Sequence, residues 1–173
     1  FVSKMSALKM GDPMDESVQL GPLATANGKR DIVELVEDAK AKGARVLCGG
    51  ETPEGLGFFY PATVIDQLTD DMKLVMEEAF GPVATIYKVQ NREEAIKIAN
   101  QTTFGLSSAI WSEDEAEQDY FVEHLQAGAV FVNGMTISYP ELAFGGIKDS
   151  GFGRELSDAG IKEFCNLKTV WKA

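Results

Sequence analysis

The stretch Asp31-Ile32-Val33-Glu34-Leu35-Val36-Glu37-Asp38-Ala39-Lys40-Ala41-Lys42-Gly43-Ala44-Arg45-Val46-Leu47-Cys48 changes its periodicity part-way along. Ile32, Leu35, Val36 and Ala39 recur at i, i+3, i+4 and i+7, one face of a helix, and Gly43 supplies the stop. From Ala44 to Cys48 the pattern reads instead as a strand, closed by Gly49-Gly50. A helix feeding directly into a strand is the unit of an α/β fold.

The same reading extends in both directions. Phe1 to Leu8 reads as the end of a helix stopped by Gly11-Asp12-Pro13, since proline cannot continue one. A turn-rich stretch from Glu51 to Gly57 precedes a strand at Thr63–Ile65, and Val83–Tyr87 is β-branched and aromatic enough for another. Asn91 with Glu94 predicts a capped helix to about Asn100. Ser107–Trp111 predicts a strand, Ser112-x-x-Glu115 a capping box, and the following helix carries Phe121, Val122 and Leu125. Ala129–Val132 is apolar throughout, as expected of a strand covered on both faces. After an irregular glycine-rich segment from Asn133 to Gly153, a short helix over about 158–165 and a last strand, Leu167–Trp171, complete the chain. The expected architecture is a three-layer α/β/α sandwich around a mostly parallel sheet.

Composition narrows the function. Sixteen basic and 27 acidic residues give a net charge of −11, which opposes binding to nucleic acid phosphates or to an anionic membrane. No apolar run approaches the roughly 20 residues of a spanning helix. No secretion signal opens the chain, so a cytoplasmic protein is expected. Two cysteines and one histidine offer neither a disulfide framework nor a metal cluster. Cys48 reads as a small core residue and Cys165 as a thiol with no basic neighbour to activate it. His124 reads as a surface or packing residue.

Two segments could carry chemistry. In Glu77-Glu78-Ala79-Phe80-Gly81-Pro82 a carboxylate and a ring share a turn before a strand. Such a carboxylate can accept both hydroxyls of a ribose, and the ring can rest against a flat heteroaromatic group. Locally, a solvated acidic turn with Phe80 in the core explains the residues as well. In Phe144-Gly145-Gly146-Ile147-Lys148-Asp149-Ser150-Gly151-Phe152-Gly153-Arg154-Glu155 the glycines permit close backbone packing. The spacing is neither a phosphate loop nor a dinucleotide fingerprint. Lys148 and Arg154 read as residues that hold this loop in shape.

Taken together and in order, these segments resemble the aldehyde dehydrogenase superfamily along essentially the whole chain. Leu8–Pro13, Leu20-Gly21-Pro22, Gly43-Ala44 to Gly49-Gly50, Glu77–Pro82, Ala99-Asn100, Phe104-Gly105-Leu106, Ala127-Gly128, Val132-Asn133 and Phe144–Glu155 each match a family motif. Two positions depart: Ala143 stands where the family usually has proline, and Gly28 where many members place a glutamine near the ribose. Ala143–Gly146 with the ending Glu163–Lys172 is similar to the bacterial NAD-dependent succinate-semialdehyde dehydrogenases.

The resemblance implies that residues 1–166 are the C-terminal part of the catalytic domain and 167–173 an oligomerisation strand pairing with a neighbouring subunit in a homo-oligomer (dimer or tetramer). It implies that Glu78 holds the nicotinamide-ribose hydroxyls, that Phe80 packs by the nicotinamide, and that Phe144 and Ser138 reach the aldehyde pocket. The cofactor is NAD or NADP, with NAD favoured, bound mainly by an upstream domain. No catalytic residue is expected here: nucleophilic cysteine and general-base glutamate lie upstream, leaving the segment inactive alone. The alternative is a non-catalytic nucleotide-binding or assembly module.

Overall fold

In the computed structural model, which describes residues 1–55 and 57–173, two compact units divide the chain, Phe1–Lys88 and Val89–Ala173. Leu56, within the turn-rich stretch, lies outside the described residues.

The first unit contains α1 (Val2–Ser6), α2 (Ala26–Ala41), β1 (Arg45–Cys48), β2 (Thr63–Asp66), α3 (Lys73–Met76) and β3 (Val83–Ile86). Thr25 caps α2 by accepting from the Gly28 amide. The predicted stripe of Ile32, Leu35, Val36 and Ala39 is fully buried, packed with Tyr60, Ile65, Met72 and Leu74. Burial in this core pushes the Tyr60 phenol up to about 12. β2 is the central strand and is buried along its length.

β2 pairs parallel with β3 and antiparallel with β1. The antiparallel pairing has a local cause. After Cys48 the chain reverses through Gly49 and Gly50, both at positive φ, with no crossover helix among the described residues before β2. A Cβ on Gly49 would sit 2.3 Å from the Ala62 carbonyl oxygen. Arg45 and Asp66, partners in register, close the pair with a two-pronged ion pair at 2.9 and 2.6 Å.

The second unit holds α4 (Arg92–Asn100), β4 (Ser107–Ile110), α5 (Glu115–His124), β5 (Ala129–Val132) and α6 (Ser157–Glu163). The α4 cap forms as predicted: Asn91 accepts from the Glu94 amide, and the Glu94 carboxylate accepts from the Gln90 amide. The α5 cap does not. Asp114, rather than Ser112, accepts from the Ala116 and Glu117 amides, because its carboxylate makes the stronger, charge-assisted cap. Ser112 instead turns its hydroxyl to Glu117.

β4 and β5 pair parallel as a separate two-stranded sheet, so the mostly parallel pairing is present but divided between two small sheets. β5 is half-buried and its Val132 exposed, against the expected cover on both faces; α4 and α5 contribute no buried residue to close over it. Leu167–Trp171 forms no strand, because it finds no partner among the described residues and every residue from Ile161 onward is exposed. Among the described residues no helix is long and apolar enough to cross a membrane.

Candidate cofactor and substrate sites

Glu78 and Phe80 belong to the first unit. After α3 the chain runs through an irregular turn into β3, held by bonds from the Gly81 amide to Ala79 oxygen and from the Thr63 amide to Pro82 oxygen, both 2.8 Å. Ala79 packs against the core, while Glu78 and Phe80 on either side of it face solvent. Phe80 is 77% exposed, which overturns its local reading as a core residue. The cause is Gly81: a Cβ there would lie 2.9 Å from two carbons of buried Ile32, so the backbone itself sits against α2 and leaves no room for a ring inside. Among the described residues the Glu78 carboxylate has no hydrogen-bond or ion-pair partner. A free carboxylate two residues from an exposed aromatic face fits a ribose diol attached to a flat ring.

Phe144 and Ser138 belong to the second unit. Phe144 and Glu155 exchange both backbone hydrogen bonds at 2.8 Å, pinching residues 144–155 into a closed loop. The half-buried Phe144 ring borders a cavity of about 350 Å³ with Leu106, Gly146, Ser150, Phe152 and Arg154. Ser138 is exposed in an irregular segment and does not border that cavity, so the structure does not bring these two residues together there. Its hydroxyl engages no group among the described residues.

The loop is fastened by side chains and by close backbone contact. The Lys148 ammonium donates to the carbonyls of Asn100 (2.9 Å) and Thr102 (3.0 Å). Arg154 donates to the carbonyls of Gly146 and Gly153. The Ser150 hydroxyl accepts from the Gly105 amide at 2.9 Å. A Cβ on Gly128 would fall 1.7 Å from the Gly145 oxygen, so only glycine lets these two segments meet.

Asn100 and Asn133 stood in the sequence only as motif positions; the structure gives them work. Asn100 bonds the His124 carbonyl and the Gln126 amide with its side chain. Asn133, at φ 53°, bonds both backbone groups of Ser112 and ties the end of β5 to the end of β4. An asparagine directly after a strand was the available signal, since it tolerates positive φ.

Both cysteines are free thiols. Cys48 ends β1, half-buried, with its sulfur 3.8 Å from the Ala62 oxygen. Cys165 lies exposed just beyond α6. His124 stacks on Tyr120 with ring centroids 4.2 Å apart. Among the described residues no group of three or more potential ligands gathers to hold a metal.

The sequence profile of the aldehyde dehydrogenase family matches residues 1–170. The chain belongs to this family. It is 57% identical over 171 residues to succinate-semialdehyde dehydrogenase [NADP(+)] 1 of Mycobacterium ulcerans, covering 99% of this chain and 37% of that protein. An aldehyde dehydrogenase of Paenarthrobacter nicotinovorans is 55% identical over 171 residues, again 99% and 37% of the two chains. Among solved structures, succinic semialdehyde dehydrogenase from Streptococcus pyogenes in complex with NADP+ superposes with a TM-score of 0.92 at 38% identity, over 99% of this chain and 38% of that one. Betaine aldehyde dehydrogenase from Staphylococcus aureus in complex with NAD+ gives a TM-score of 0.88 at 32% identity, over 94% and 33%. This member of the family thus spans 37% of the length of the M. ulcerans relative. Relatives named for NADP(+) and a neighbour holding NADP+ lend no support to the expected preference for NAD.

Proposed function

We propose that this chain is part of an enzyme that oxidises succinate semialdehyde to its carboxylic acid with NADP as the cofactor. The observation that carries the reading is the outward turn of Glu78 and Phe80, a free carboxylate beside a bare ring, in a chain so similar to succinate-semialdehyde dehydrogenases. Glu78 accepts hydrogen bonds from the two ribose hydroxyls, and Phe80 gives the nicotinamide a flat apolar wall. Held there, the nicotinamide would supply the acceptor for the hydride that the aldehyde carbon loses on oxidation. Phe144 forms a wall of the aldehyde pocket. Ser138 carries an uncommitted hydroxyl that can donate to the substrate's distal carboxylate.

The nucleophile and the base come from a part of the enzyme outside these residues, since among the described residues the Cys48 and Cys165 sulfurs hydrogen-bond only main-chain carbonyls, Ala62 and Ile161, and no group that would activate them. A cysteine thiolate there adds to the aldehyde, hydride leaves, and a glutamate-assisted water hydrolyses the thioester. Leu167–Trp171, exposed and unpaired in this chain, adds its strand to a second subunit. The test is steady-state kinetics of the enzyme containing this segment. Succinate semialdehyde should be oxidised with a higher kcat/KM than butanal, and NADP should outperform NAD. Equal turnover of the two aldehydes would remove the substrate assignment and leave the family standing.

A further inference from the structure

We propose that Lys148 is a positioning residue for the aldehyde pocket: its ammonium docks the Phe144 loop onto the C-terminal end of α4 and so fixes where the Phe144 ring stands. The inference rests on Phe144 bordering the aldehyde, as proposed above. Lys148 is half-buried, yet among the described residues its charge meets no carboxylate; it meets two main-chain carbonyls, Asn100 at 2.9 Å and Thr102 at 3.0 Å. Asn100 is the last residue of α4, where carbonyls lack helical partners and the helix end favours a cation.

The backbone at Lys148 is at φ 53°, a conformation unfavourable for a residue with a side chain. Asparagine or glycine would adopt it with less strain, so the lysine is there for its ammonium. Around it, the Ile147 amide donates to Gly105 oxygen and the Asp149 amide to Thr103 oxygen. Lys148 is thus the central fastener between residues 147–150 and residues 100–105. From Ile147 only Gly145 and Gly146 lead back to Phe144, and the Phe144–Glu155 bridge closes the loop on its other side. Freeing the ammonium loosens the 145–150 side of the loop that carries the ring, while the Glu78 turn belongs to the other unit.

The experiment compares Lys148→Asn, Lys148→Gly and Lys148→Arg in the enzyme that contains this segment. Asn and Gly remove the cation at a backbone angle both tolerate, and Gly serves if Asn fails to fold. KM for the aldehyde should rise roughly tenfold, since misplacing a positioning group costs up to about 10²-fold. KM for the cofactor should stay within about twofold by the same reasoning. Lys148→Arg, which keeps the charge, should recover most of the loss. Hydrogen exchange at the Phe144 and Glu155 amides should quicken in the Asn and Gly variants alone.

An unchanged aldehyde KM, or equal rises in both KM values with protection lost throughout the unit, overturns the proposal. Unchanged exchange at Phe144 and Glu155 overturns the docking itself. If the unsubstituted enzyme oxidises no aldehyde, the proposed function falls, and the exchange data still decide whether Lys148 holds the loop.

Discussion

Replacing Gly81 by alanine tests how the fold presents Glu78 and Phe80. The added methyl would begin 2.9 Å from both Cγ1 and Cδ1 of Ile32 and 3.2 Å from Leu23. Ile32 is 1% exposed within the core and, as a β-branched residue in a helix, has little rotamer freedom to yield. Gly81 itself is not at a left-handed φ, so the penalty is crowding rather than backbone strain. Overpacking of this kind costs about 1–3 kcal/mol. Part of the strain should be relieved by moving the turn outward, displacing Glu78 and Phe80 and raising the cofactor KM. Ile32→Ala removes both crowded carbons at a cost of its own of roughly 2–5 kcal/mol. Combined with Gly81→Ala it should be less damaging than the sum by about 1–3 kcal/mol, because the new methyl enters the vacated space. Urea denaturation of the four proteins of this cycle, followed by far-ultraviolet circular dichroism, measures the coupling. Additivity within about 0.5 kcal/mol would refute the claim that Gly81 seats the turn on Ile32.

Removing the carboxylate charge with Glu78→Gln should raise the cofactor KM and slow hydride transfer, corresponding to about 1.5–3 kcal/mol for one charge-assisted interaction; unchanged kinetics would show that this side chain does not hold the ribose. Asp38 and Asp66 should make the fold acid-sensitive. Hydrogen bonds from Lys42 and the Lys73 amide hold the first below its ordinary 3.8, and Arg45 holds the second there. Their stabilisation is therefore complete above pH 3.8 and lost as pH falls through the lower folded-state values, and urea midpoints measured down that range should fall less in Asp66→Asn than in the parent. If Leu167–Trp171 pairs with a second subunit as proposed, deleting Lys168 to Ala173 should lower the oligomeric state by light scattering; an unchanged molar mass would exclude it as the connector.

The sequence alone determined the elements whose causes are local. The buried stripe of α2, the Asn91 cap and the positions of β1 to β5 followed from side-chain period, capping chemistry and β-branching, which act within a few residues. Family motifs marked Glu78, Phe80 and Phe144 without saying how they are presented. Tertiary structure alone decided that Phe80 faces outward, because the reason lies in Ile32, far along the chain on α2. It also decided that Lys148 meets the end of α4 and that Gly128 lies against the Gly145 carbonyl. Leu167–Trp171 shows the same division from the other side. Its propensity for a strand is written in its residues, but a strand exists only where another backbone offers its hydrogen bonds, and these residues cannot supply that partner themselves.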